Sequence, residues 1–162
     1  MIIVLMGVSG SGKTTVGERL AAALGWPFYD ADAFHSPESR EAMARGVPLT
    51  DEGRLPWLSR LRALLVGLAE AGQSAVLACS ALKRRYRGVL FAAPVRVELV
   101  YLRGDRELLR RRLEARRGHF AGAELLESQL AALEEPEGAL VLGIEPAPEE
   151  IVRQIRRRLS LG

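Results

Sequence analysis

The sequence predicts an α/β protein: a three-layer α/β/α arrangement around a five-stranded parallel sheet. Three observations carry this. Short apolar runs alternate with segments of helical periodicity along the whole chain, the pattern of repeated strand–helix crossovers. The first run, Ile2–Met6, is apolar at every position, which suits a strand buried on both faces. It leads through a Gly/Ser-rich stretch directly into a helical segment.

Taken in order, Lys13 to Leu24 carries Val16, Leu20, Ala23 and Leu24 at helical spacing, and Gly25 ends it. Pro27–Asp30 reads as a second strand and Pro37–Arg45 as a helix. Pro56 fits the first turn of a longer helix running to about Ala71, with Leu58, Leu61, Leu65 and Leu68 on one face and Gly72 as the stop. Ala75–Cys79 is a third strand and Leu82–Phe91 a helix. Arg96–Leu102 is a fourth strand, with Val97, Leu99 and Tyr101 alternating against Arg96, Glu98 and Val100. Asp105 can cap the next helix, to about Arg116. A polar loop, 117–122, leads to a helix ending before Pro136. Ala139–Leu142 is the fifth strand, and the terminal helix carries Ile151, Ile155 and Leu159.

With 162 residues the chain fits one domain, and no repeat or linker divides it. The composition is ordinary for a folded protein, 48% hydrophobic and 27% charged. The net charge is +3, and the arginines lie on amphipathic segments interleaved with Glu. That pattern suits small anionic ligands and not nucleic acid. The single cysteine, Cys79, excludes an internal disulfide and sits in an apolar run as a small hydrophobe. No run is long enough to span a membrane, and the start is not patterned as a signal peptide, so the expected location is the cytoplasm. The sequence leaves the oligomeric state open, a homodimer included.

Gly7-Val8-Ser9-Gly10-Ser11-Gly12-Lys13-Thr14 matches the pattern G-x-x-x-x-G-K-[ST] completely, between a buried strand and a helix. The glycines let the backbone turn so that its N–H groups face phosphate oxygens, and the helix N-terminus adds partial positive charge. Lys13 is placed to reach the β- and γ-phosphates of ATP. The Thr14 hydroxyl can ligate Mg²⁺, and Thr15 follows on the same turn. Beyond the second strand, Asp30 and Asp32 are two residues apart and project to one side of an extended segment. Two neighbouring anions there ask for a cation and a proton. Mg²⁺ supplies the first and an acceptor hydroxyl the second. Helix capping is the alternative role for either one.

These residues resemble the small gluconate kinases, members of the P-loop NTPase group that includes the shikimate and nucleoside monophosphate kinases. The resemblance runs through Leu5–Thr14, Asp30–His35, Gly46–Leu58, Cys79–Arg87, Tyr101–Asp105, Leu113–Phe120 and Ser128–Pro136. The segments P-L-T-D-x-x-R-x-P-W-L and C-S-A-L-K-x-x-Y-R are the specific ones. The resemblance implies a nucleoside monophosphate kinase-like fold, with a small lid near 117–122 and Arg116 and Arg117 on the nucleotide phosphates or adenine. It also implies transfer from ATP to gluconate, with Asp30 on the Mg²⁺ side, Asp32 facing the acceptor hydroxyl and His35 beside the acceptor. This chain differs from the family pattern at Ser39, Ala42 and Gly53, in the segment expected to close over the acceptor.

A sugar acid brings a carboxylate, which wants Arg or Lys. Arg54 precedes the Pro-Trp-Leu segment, and Lys83 and Arg87 are four apart, as on one helix face; Arg84 and Arg85 are left to solvent. Arg112 and Arg116 share another face. His35 and His119 have no companions at metal-ligand spacing. Two other readings stay open: a kinase of the same group acting on shikimate or another polyol, and a nucleotide-binding regulatory module. Cys79-Ser80-Ala81, where shikimate kinases carry a Gly-rich turn, argues against shikimate.

Overall fold

The computed structural model of the chain describes residues 1–116 and 120–162. Its strands are β1 (Ile2–Met6), β2 (Phe28–Asp30), β3 (Ala75–Ala78), β4 (Val97–Arg103) and β5 (Leu140–Gly143). Its helices are α1 (Lys13–Leu24), α2 (Pro37–Ala44), α3 (Asp51–Glu70), α4 (Arg84–Leu90), α5 (Arg106–Ala115), α6 (Phe120–Ala132) and α7 (Pro148–Arg158), with a 3-10 turn over Ala31–Phe34. The strands form one sheet in the order β2-β3-β1-β4-β5. All four pairings are parallel.

The two faces of the sheet carry two cores, and β1 divides its side chains between them. Ile3 and Leu5 pack with Val16 and Leu20 of α1, Leu109 and Leu113 of α5, and Ile151 and Ile155 of α7. Ile2, Val4 and Met6 pack with Trp57, Leu61, Leu65 and Leu68 of α3 and with Tyr86 and Leu90 of α4. This is the period of two of a strand covered on both sides. The same alternation sends Val100 and Leu102 of β4 to the first core and Tyr101 to the second. Each fully buried leucine contributes about 1.5–3 kcal/mol relative to exposure.

Most of the expected elements form within a residue or two of their expected bounds, and Asp105 caps α5 through its side chain, accepting from the Leu108 N–H at 2.8 Å. Two helices differ. The first is α3, which begins at Asp51, not at Pro56. Thr50 is the N-cap, its Oγ1 accepting from the Gly53 N–H at 2.9 Å, and Asp51 and Glu52 lie on the positive end of the helix dipole. Asp51 is also held from α4, as described below. Together these offset the backbone hydrogen bond that Pro56, now inside the helix, cannot donate.

The second is α4, which starts after Lys83, not at Leu82. Ala81 takes a positive φ of 44°, and the carbonyls of Ala81 and Leu82 are engaged by Arg87, so the chain bends there. Of the expected loop 117–122, residues 117–119 lie outside the described residues, and α6 already begins at Phe120. Among the described residues no helix is long and apolar enough to cross a membrane.

Thr50→Ala is expected to cost about 1 kcal/mol of stability. A urea titration would read this as a lower midpoint at unchanged slope. A wild-type midpoint would show that the Thr50 cap does not hold the start of α3.

Candidate active site

The Gly/Ser-rich stretch forms a compact loop between β1 and α1. Gly10 and Gly12 take left-handed φ values of 84° and 91°, and Gly12 is the N-cap of α1. At Gly7 a side chain is excluded by crowding: a Cβ would stand 2.7 Å from Ser11 Oγ and 2.8 Å from the Leu102 carbonyl oxygen. Val8 is buried, and the Ser11 N–H donates to its carbonyl at 3.2 Å. No side chain caps the start of α1, and its first turn holds no acidic residue. The orphan N–H groups there are open to an anion. The buried Ser11 Oγ has no hydrogen-bond partner among the described residues, a second polar atom without a partner in the loop. The loop therefore fits a phosphate chain.

Lys13 Nζ donates to the carbonyl oxygens of Gly7 and Val8 at 2.9 and 3.1 Å. Burial lowers its pKa, and the charges of Asp32 and Asp30 oppose that shift, while Arg116 adds to it. The lysine thus sits between its own loop and the two aspartates. Cys79, at the end of β3, is buried and its thiol is pushed up to about 12 by burial.

Asp32 stands on the 3-10 turn that follows β2. Every carbonyl of that turn has a partner. Trp57 Nε1 donates to the Ala31 carbonyl at 2.7 Å, the His35 N–H to that of Asp32 at 3.3 Å, and Arg60 to that of Phe34 at 2.8 Å. The guanidinium of Arg40 donates to the carbonyl of Ala33. The Asp32 side chain is therefore presented from a backbone fixed by α2 and α3. Burial and the neighbouring Asp30 raise the pKa of Asp32, against Lys13, Arg40 and Arg54. Asp30 caps the turn: its Oδ1 accepts from the Asp32 N–H at 2.9 Å, which leaves Oδ2.

Thr14 is exposed and Asp30 half-buried. A hydroxyl and a carboxylate oxygen are hard donors, of the kind Mg²⁺ takes alongside substrate phosphates. Among the described residues no group of three or more His, Cys, Asp or Glu could hold a metal by itself.

His35 is buried, with its ring stacked on Trp57 at 4.6 Å between centroids and 8° between planes. Burial, then Arg54, Arg40 and Arg60, lower its pKa to about 4, so it is neutral at ordinary pH. Its Nδ1 is buried without a partner among the described residues.

The basic residues divide differently from the expectation. Arg87 is only 8% exposed and donates to the carbonyls of Ala81, Leu82 and Glu134 at 2.7, 3.1 and 2.8 Å. Its guanidinium is consumed by backbone, which takes it away from an acceptor carboxylate. Lys83 precedes α4 and so does not share a helix face with Arg87. It pairs with Asp51 at 3.0 Å, and Arg85, expected in solvent, pairs with the other oxygen at 2.9 Å. The Tyr86 hydroxyl also donates to Asp51. These hydrogen bonds, from Tyr86 first and then Lys83, lower the pKa of Asp51. Burial first and the Asp51 bond second push the Tyr86 hydroxyl up to about 12. Arg54 has no carboxylate partner among the described residues; its guanidinium lies 5.8 Å from the centre of the Tyr86 ring.

Around the nucleotide end, Arg116 is the exposed C-terminal cap of α5, and Thr15 is exposed on α1; Arg117 lies outside the described residues. Arg112 turns to the loop instead of to solvent. It donates to the Ile144 carbonyl at 2.6 Å and approaches that of Gly10 at 3.4 Å. Gln129 of α6 accepts from the Ser9 N–H at 2.6 Å. Asp51 and Gln129 lie inside the segments Gly46–Leu58 and Ser128–Pro136 that carry the family resemblance, but neither is singled out there as a site residue.

Comparison with known proteins agrees with this geometry. Residues 2–136 match the family described as an AAA domain. The probable gluconokinase of Mus musculus is 42% identical, with the match covering 98% of this chain and 97% of that protein. The gluconokinase of Gluconobacter oxydans is 44% identical over 98% of this chain and 90% of its own. The crystal structure of a gluconokinase from Sinorhizobium meliloti superposes with a TM-score of 0.87 at 42% identity, covering 98% and 90% of the two chains. The chain belongs to the gluconokinase family of P-loop kinases.

Proposed function

We propose that the protein phosphorylates D-gluconate at its terminal hydroxyl, using ATP with Mg²⁺ and giving 6-phosphogluconate. The observation that carries the reading is a site with two unlike ends. At one end the phosphate loop and Lys13 stand in the field of Asp30 and Asp32. At the other, Arg54 is a cation without a carboxylate among the described residues, yet close enough to influence both Asp32 and His35. A linear acid with a carboxylate at one end and a primary hydroxyl at the other can bridge the two.

In this reading Lys13 leaves the Gly7 and Val8 carbonyls for the β- and γ-phosphates and neutralises charge gathering on the transferred group. The backbone N–H groups of residues 7–14 and the Thr15 turn hold the phosphates, with Arg116 and Arg117 closing over the nucleotide. Thr14 and Asp30 would hold Mg²⁺, which supplies charge neutralisation at the phosphate oxygens. Asp32 orients the acceptor hydroxyl and takes its proton as the new oxygen–phosphorus bond forms and the bond to the β-phosphate oxygen breaks. Its raised pKa makes it a better proton acceptor than an ordinary carboxylate. Neutral His35 offers a hydrogen bond to an acceptor hydroxyl, and Arg54 takes the carboxylate. Lys83 contributes to that end only as far as Asp51 shares it.

An acceptor panel of gluconate, glucose, shikimate and other sugar acids at equal concentration, with ADP release as the signal, tests the reading. Gluconate is expected to lead. Arg54→Ala should raise its KM by about ten- to a hundredfold, the value of a charge-assisted hydrogen bond. Preference for shikimate or an uncharged polyol would overturn the two-ended site. Lys13→Ala should keep its circular dichroism spectrum and lose at least about a hundredfold in rate; near-normal turnover would remove Lys13 from the mechanism.

Asp32→Asn should collapse kcat with little change in ATP binding. It should also change stability with a defined sign. A carboxyl whose folded pKa is raised contributes fully only below its unfolded value, and that contribution is lost as pH rises through the folded pKa. The Asn variant is therefore expected to be more stable than wild type at pH 7, with the gain shrinking toward pH 4. Urea unfolding at both pH values measures it. A gain that grows on acidification would contradict a carboxylate destabilised by desolvation and by the neighbouring Asp30.

A further inference from the structure

The first three residues of the phosphate loop are held from two directions. Lys13 grips the Gly7 and Val8 carbonyls, while the next N–H, that of Ser9, is taken by the Gln129 amide oxygen at 2.6 Å, from 120 residues away. The lysine grip is temporary: its ammonium cannot hold those carbonyls and reach the phosphates as well. Once it departs, the Val8–Ser9 peptide keeps the local Ser11 N–H on its carbonyl and, from outside the loop, Gln129 on its N–H.

The same stretch of chain is fixed at its other end to the loop after β3. The Glu134 N–H donates to the Leu82 carbonyl at 2.8 Å, and Arg87 donates to the Glu134 carbonyl at 2.8 Å. Glu134 Oε1 accepts from the Arg84 N–H at 3.2 Å. That loop carries Lys83, on the acceptor side. Residues 129–134 therefore run as a strap from the donor cradle to the acceptor loop. Within it the Gln129 side chain makes the contact with the cradle.

We propose that Gln129 is a positioning residue, one that sets the phosphate loop against the acceptor side so that the γ-phosphoryl group and the hydroxyl meet in line. The inference rests on the kinase reading above. Alignment of this kind acts on turnover more than on binding, because small displacements of well-bound groups cost rate steeply. Of the loop's N–H groups Gln129 takes that of Ser9 and leaves those at the start of α1 to the phosphates.

Three variants test it, each assayed for kcat, KM for ATP and thermal midpoint. Gln129→Ala and the shorter Gln129→Asn cannot reach Ser9. Both are expected to lose about tenfold or more in kcat while KM for ATP and the midpoint stay near wild type. Gln129→Glu keeps an acceptor oxygen at the right length. It should retain most of kcat but raise KM for ATP, through the added charge beside the phosphates. A purely structural role would instead lower the midpoint of all three and leave kcat per folded molecule unchanged. Near-wild-type kcat in both short variants, or a Glu variant as slow as Ala, overturns the proposal. Should Ala fail to fold, Asn carries the comparison. Wild-type activity toward gluconate is the internal control. If another acceptor releases ADP instead, the substrate reading fails, and the same three ratios taken on that acceptor still decide the role of Gln129.

Discussion

One half-buried ammonium group organises this site. Lys13 is partly withdrawn from water, which makes its charge costly, and the surroundings are arranged to answer it. Two carbonyls of its own loop accept its protons, and Asp30 and Asp32 lie in its field. The loop can close over it because Gly10 and Gly12 tolerate left-handed backbone and because Gly7 has no side chain to strike Ser11 and Leu102. The strand order does the rest. With β3 between β1 and β2, the loop after β1 and the turn after β2 flank the end of β3. The aspartates then approach the lysine from the far side of a single strand.

Placing Asp32 takes a good deal of structure. Four residues from three elements meet the carbonyls of one short turn: Arg40 from α2, Trp57 and Arg60 from α3, and His35 from the turn's own end. The reason is electrostatic. A carboxylate raised in pKa by burial and by a like charge gains nothing from its position, so the position must be stabilised through the backbone. Trp57 links this to the core, since its ring packs below the sheet while its N–H reaches the turn.

The architecture was legible in the sequence because the strands alternate or run apolar and the helices carry regular stripes. The phosphate loop was legible because its chemistry is local: every residue it needs lies within eight positions. The acceptor end was harder. Spacing places Lys83 and Arg87 on one face only if both are helical, and the bend at Ala81 breaks that premise. Pro56 suggests a helix start, yet Thr50 begins the helix earlier because a cap and an anchored Asp51 outweigh one lost hydrogen bond. Gln129 and Arg112 are long-range contacts with backbone, and backbone carries no side-chain signature that a sequence pattern could pair with them.

Cys79 sits just beyond the end of β3 beside this charge cluster, and its thiol is pushed up to about 12 by burial. The thiolate is the form that oxidants, alkylating agents and soft metals attack, and here it is suppressed by several orders of magnitude at neutral pH. The site thus keeps a sulfur atom close to Lys13 while denying it nucleophilic character. Oxidation or alkylation of this sulfur is in consequence disfavoured.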